Sequence, residues 1–117
     1  MTDLRRFIIE MGQGVDLHGG DYTKAAGRAI EDAMRHSSIP MFGSMGISPD
    51  DMVVKVTVAV AAPEDVDTTR LQAMMPRGRA SVTAVAGGMD IESPDGGDTI
   101  VLATAAIEAF LPNQRMK

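Results

Sequence analysis

LRRFIIEMGQGVDLHGGDYTKAAGRAIEDAMRHS, residues 4–37, carries the reading on which the fold turns. Residues 4–11 place Phe7, Ile9 and Met11 in one phase and Ile8 in the other, the period of two of a strand covered at least partly on both faces. Residues 12–20 hold four glycines, so conformations closed to other residues are open here and a ligand can approach the main chain. They read as a loop. Asp21 then stands where a helix N-cap belongs, and Tyr22, Ala25, Ala26, Ala29, Ile30, Ala33 and Met34 follow at the spacing of a buried helical stripe. A helix over 21–37 is predicted. On its other side fall Lys24, Arg28, Glu31, Asp32 and Arg35, with Arg28 and Asp32, and Glu31 and Arg35, placed i,i+4 as weak surface pairs. These charges read as a solvated face.

Outward from this unit, residues 38–51 contain two prolines, two glycines and two methionines, fit neither period, and are expected as a long irregular connection. MVVKVTVAVA, residues 52–61, has valines at 54, 56, 58 and 60 and reads as a central strand. Pro63 with Glu64 and Asp65 starts a second helix and Pro76 stops it, so 63–75 is expected to bury Val66, Leu71, Met74 and Met75. Residues 80–92 read as a third strand, with Gly87 and Gly88 marking a bulge or the close approach of another backbone. SPDGGD, residues 93–98, is turn chemistry. The last strand runs over 99–110, although 105–111 suits a helix equally well.

The order is βαβαββ, with right-handed crossovers in the two βα units and a closing antiparallel hairpin. The expected architecture is an α+β two-layer sandwich, a four-stranded mixed sheet with two helices on one face. Val53, Ala59 and Ala61 make the other face too apolar for water, so a homo-oligomer is expected to cover it.

Composition sets the bounds. A length of 117 residues is that of one α+β domain spanning 1–117. Hydrophobic residues at 44% and charged residues at 23% are the balance of a soluble globular chain. A net charge of −5 repels a phosphate backbone, and 3% aromatic content without Trp provides no stacking platform, so nucleic acid is not an expected partner. Without cysteine there is neither a disulfide framework nor a thiolate site, which fits a cytoplasmic home. The apolar runs are too short for a signal peptide or a membrane span to be expected.

The chemistry concentrates in residues 12–20. Asp16 and His18 are two apart, so in an extended segment their side chains leave on the same side and can converge on zinc, manganese or magnesium, or act as an acid/base pair. His36 lies at the far end of the first helix, roughly 20 Å from its start. Gly12, Gly14, Gly19 and Gly20 can bring amides to a small anion at the carboxyl end of the strand. The plainer account makes the glycines a tight turn, with Asp16 capping amides and His18 bonded to a carbonyl. Leu17 replaces the third glycine of a dinucleotide-binding fingerprint, and no Gly-Lys-Ser/Thr follows for a phosphate loop. Lys55, among valines, is a candidate catalytic base or nucleophile if desolvated, and otherwise a solvent-facing lysine guarding an edge. Arg77, beside Gly78, is a candidate anion clamp or simply solvated. No Gly-x-Ser-x-Gly elbow surrounds any serine.

At Gly12, Gly14, Asp16, His18 and Gly19 the chain resembles a small uncharacterised family of scattered bacteria and of plants, whose hallmark is GxGxDxHG near the N-terminus. The likeness spans essentially the whole chain and implies no established reaction. The same residues are similar, more narrowly, to methylerythritol cyclodiphosphate synthase, a trimeric zinc lyase that also opens on a strand followed by GxGxDxH. That likeness implies Asp16 and His18 as metal ligands. The synthase's third ligand, a histidine before its first helix, has no counterpart in Gly19, Gly20 and Asp21. The βαβαββ order resembles the chorismate-mutase-like group containing that synthase, which implies a trimer or higher with sites between subunits. Two readings follow. One is a small oligomeric enzyme, metal-assisted, on a small anionic substrate, with Asp16 and His18 pointing into a cavity. The other is a non-catalytic metabolite-binding or assembly module, with both residues hydrogen-bonded and closed.

Overall fold

The computed structural model describes residues 4–35, 52–75 and 79–112. The expected connection over 38–51, His36 and Arg77 lie outside them. Along the described residues run β1 (Leu4–Asp16), α1 (Tyr22–Arg35), β2 (Val53–Val60), a 3-10 turn (Pro63–Asp65), α2 (Thr68–Gln72), β3 (Arg79–Ala86), β4 (Met89–Glu92) and β5 (Thr99–Pro112). The fold is α+β, as the sequence implied, with one mixed sheet of five described strands where four were expected. The order across the sheet is β1-β5-β2-β3, with β4 also paired to β5. β5 is antiparallel to β1 and to β2, while β2 and β3 are parallel.

The extra strand comes from the glycine pair at 87–88. The third strand does not run on to Glu92. At Val60 the chain crosses the end of β2, where the Gly87 amide donates to the Val60 carbonyl at 2.9 Å. β4 then continues the line of β2 along β5, pairing Met89 with Leu102 through Glu92 with Thr99. Gly88 has φ +63, and a Cβ there would lie 2.2 Å from the Leu102 carbonyl oxygen. The approach expected at these glycines is therefore to two strands at once.

β1 is also longer than expected, because Gly12 and Gly14 belong to the ladder, opposite Ala105 and Ala103. What needs glycine there is the helix above. A Cβ on Gly14 would sit 2.3 Å from the Ala25 oxygen and the Ala29 nitrogen, and one on Gly12 would sit 2.4 Å from the Ala33 nitrogen. The small stripe of α1, Ala25, Ala26, Ala29 and Ala33, thus presses almost onto the strand backbone, and all four are fully buried. Around this contact close Ile30, Leu71, Ile107, Leu111 and the valines 54, 56, 58 and 60. Each branched side chain taken out of water contributes about 1.5–3 kcal/mol.

The second helix is broken. Pro63 opens only a 3-10 turn, Val66 is extended at φ −90 and ψ 128, and α2 begins afresh after Asp67, whose carboxylate accepts from the Arg70 amide at 3.1 Å. Asp67 is an N-cap in the middle of the expected helix, which is why that helix divides. Residues 105–111 are strand, their inward positions Ala105, Ile107, Ala109 and Leu111 alternating with less buried neighbours. α1 packs on β1 and β5, and α2 on β3, so the helical layer covers one face as expected. The opposite face carries exposed Ile9, Met11, Val85, Met89 and Ile91. Among the described residues no helix is long and apolar enough to cross a membrane.

Candidate functional site

β1 ends at Asp16, and the chain reverses through Gly19 and Gly20, both at positive φ, into α1. Asp16 is inward by strand phase and 2% exposed. Its Oδ2 accepts from the Asp21 amide at 2.9 Å, while its Oδ1 faces Lys24 Nζ at 3.8 Å and Arg28 Nη1 at 3.6 Å. Asp21 caps α1 in turn, its Oδ1 accepting from the Lys24 amide at 3.0 Å. The carboxylate of Asp16 thus closes the turn on itself, fixed by one amide and two cations.

His18 points the other way. Its side chain is 83% exposed, and Nδ1 lies 3.0 Å from Asp98 Oδ2. The argument that i and i+2 share a side fails here because the strand stops at Asp16; Leu17 to Gly20 are not extended pairs of a ladder. Gly20 packs near Thr99 at the start of β5, so the β1–α1 turn rests against the β4–β5 hairpin. A second link joins the same elements, because the Tyr22 hydroxyl donates to Asp90 Oδ2 in a short bond. That bond, with a smaller contribution from burial and from the Asp90 charge, raises the Tyr22 phenol above its ordinary value of 10.0. Within the hairpin, Asp95 Oδ1 takes the Ser93 hydroxyl at 2.6 Å and the Gly97 amide at 2.9 Å, which lowers its carboxyl.

The remaining candidates do not join Asp16. Lys55 is exposed on the open face, opposite Glu108 of β5, with Nζ 5.0 Å from the Phe110 ring centroid. It is separated from Asp16 by the thickness of the sheet. Gly12 and Gly14 have their amides in strand pairing and their Cα atoms under α1. Among the described residues no group of three or more His, Asp or Glu side chains is arranged to hold a metal ion.

With this geometry in view, comparison with known proteins places the chain. A family model described as Conserved hypothetical protein (Lin0512_fam) matches residues 6–109. The chain belongs to this family. A similar solved structure is the crystal structure of an FtsZ-like protein of unknown function from Nostoc punctiforme, 36% identical, with 97% of this chain and 100% of that one covered and a TM-score of 0.83. The two share one fold over nearly their whole length. No curated protein matches the chain.

Sequence reading missed the work done by the charges of α1. Arg28 Nη1 donates to the Val15 carbonyl at 2.6 Å, and Asp32 Oδ2 accepts the Gln13 amide at 3.0 Å. β1 is an edge strand, and these two side chains, one helical turn apart, satisfy two of its outward backbone groups. The i,i+4 spacing was the available signal, but it pointed to a pair with each other. Asp32 instead pairs with Arg35 at 3.4 Å. Thr23, buried at the start of α1, accepts the Asp67 amide at 2.9 Å and ties the two helices together.

Proposed function

We propose that this protein acts as a homo-oligomeric, non-catalytic assembly or binding module, in which a second copy covers the open sheet face and the Asp16–Asp21 turn is a structural clasp. The observation that carries this reading is the open face. Ile9, Met11, Val85, Met89 and Ile91 are 40–66% exposed and share that face by strand register, with Leu102, Ile100 and Phe110 between them. Four strands at ~4.8 Å spacing and ~8 residues of length give roughly 500 Å² of flat area per copy, or about 1,000 Å² per pair before side-chain relief is added. That reaches the lower bound of a specific interface. Beside Lys55 and Glu108 on the same face, these apolar side chains form the exposed patch that a second copy would cover. The buried, fully engaged carboxylate of Asp16 supports the clasp, since a ligand or acid/base role calls for an open lone pair.

Sedimentation of the wild type and of Met11→Glu with Ile91→Glu tests the proposal. The wild type is expected to sediment as an oligomer and the double variant as a folded monomer. A monomeric wild type would refute it.

A second reading, a divalent-metal site that includes His18, is favoured by one observation: the imidazole is exposed and already aligned with Asp98. The narrow likeness to the synthase supports His18 as a ligand, while Asp16, turned inward and engaged, stays in the clasp. In that reading a partner copy completes the shell with zinc, manganese or magnesium, and the chemistry becomes metal-assisted on a small anion. Titration calorimetry on the wild type and His18→Ala, with the oligomer monitored, separates the two readings. Stoichiometric binding lost in the variant selects the metal.

A further inference from the structure

Between α1 and α2, on the helical layer and away from the open sheet face, lies a groove of about 360 Å³ lined by Thr23, Lys24, Gly27, Arg28, Glu31, Arg70, Leu71 and Met74. Three of these side chains are cations and one is an acid, in a chain whose net charge is −5. The cations are differently held. Arg28 is anchored by the Val15 carbonyl and by Asp16, and Lys24 also faces Asp16. The side chain of Arg70 has no ion pair or hydrogen bond to any described residue. The floor is made by Gly27, whose missing side chain leaves room before Met74 Sδ, with Leu71 beneath.

We infer that this groove is a binding site for a compact, multiply charged oxyanion of the phosphate class, taken up by Arg70 from α2 and by Lys24 and Arg28 from α1. Its volume lies at the lower end of small-ligand sites, roughly 300–1,000 Å³. Arginine and lysine side chains lining it from two helices suit an anion with several oxygens better than a single carboxylate. Arg28 and Lys24 already face Asp16, so an anion in the groove shares them with that carboxylate. Arg70 is the side chain that gains its partner. Glu31 sets the limit, because its charge opposes the anion from the same wall.

The test is a proton–nitrogen correlation titration of the intact protein with inorganic phosphate and with pyrophosphate. Amide shifts centred on Lys24, Gly27, Arg70 and Leu71 are expected, with pyrophosphate binding more tightly. Arg70→Gln, whose side chain bonds to none of the described residues, is expected to keep the wild-type circular dichroism and to weaken binding by about tenfold or more. Glu31→Gln is expected to strengthen it. Three results would each overturn the inference: no shifts with either anion, shifts centred elsewhere, such as the 17–21 turn, or equal affinity in Arg70→Gln. Loss of the oligomer in the open-face variant would leave this binding unchanged, so the two proposals fail separately.

Discussion

Replacing Gly14 with alanine puts the close approach of α1 to β1 to the test. The new methyl would meet backbone atoms, the Ala25 oxygen and Ala29 nitrogen at 2.3 Å and the Arg28 carbonyl carbon at 2.7 Å, and none of these can rotate away. Relief requires α1 to retreat by about 1 Å, a gap that forfeits roughly a quarter to a half of each dispersion contact it opens. The contacts at stake are those of Ala25, Ala29 and Ile30, all fully buried. Overpacking of this kind costs typically ~1–3 kcal/mol, and the lost helix contacts add to it. Stiffening the unfolded chain returns only about 0.5–1 kcal/mol. The expected net loss is about 3 kcal/mol, a fall in Tm of roughly 10 °C. Urea and thermal unfolding at matched protein concentration, required because assembly shifts apparent stability, would measure it. Gly27→Ala is the internal contrast. Its methyl would lie 3.4 Å from Met74 Sδ and 3.6 Å from Leu71, ordinary contact, so helix propensity should make that variant more stable by up to ~1 kcal/mol. If Gly14→Ala falls within about 0.5 kcal/mol of wild type, the account of these glycines as room for the helix is wrong.

Thr23→Val keeps the shape of the side chain but removes the acceptor of the Asp67 amide, and should cost ~1–2 kcal/mol in urea unfolding, with α2 losing amide protection first. Asp16→Ala leaves the Asp21 amide without its acceptor and Lys24 and Arg28 without their buried counter-charge, and should cost about 1–3 kcal/mol. Tyr22 predicts an alkaline limb: its phenol is raised in the folded state by Asp90, so its contribution is complete below pH 10 and is lost as pH rises through the higher folded value. Thermal melts from neutral to strongly alkaline pH should show that limb in the wild type and lack it in Tyr22→Phe. Asp95 runs oppositely, since its lowered carboxyl contributes above the ordinary carboxylate value and loses that contribution as pH falls. Asp95→Asn should flatten the acid side of the stability profile.

Local chemistry was the legible part of the sequence. The valines of β2, the alanine stripe of α1, the cap at Asp21 and the turn over 93–98 each act through a period or a backbone preference written in a few adjacent residues. Gly12 and Gly14 were misread because a glycine needed for closeness looks the same in sequence as one needed for a turn; only the helix 11 or more residues later tells them apart. The split of residues 80–92 was half visible. Gly87 and Gly88 announced a close approach, but that β4 leaves β3 for β5 depends on where β2 ends. Around Asp16 and His18 the motif predicted proximity, and the structure turns one inward and the other outward because the ladder ends between them. The contacts of His18 with Asp98 and of Tyr22 with Asp90 join residues 80 and 68 positions apart, beyond any local pattern.

The place of β5 bears on how the chain is made. It is the last described element in the sequence, yet it pairs with β1, β2 and β4, and its register with β1 reaches from Leu4 to Pro112. A nascent chain therefore emerges with β1, α1, β2 and β3 synthesised and no strand to hold β1 beside β2. Until β5 leaves the ribosome, the edges of β1 and β2 that it joins wait without partners. Closure by such distant pairing is slow relative to local folding. The sheet thus stays open until β5 has been made, and a ribosome that stalls before it leaves a chain with its central strand missing.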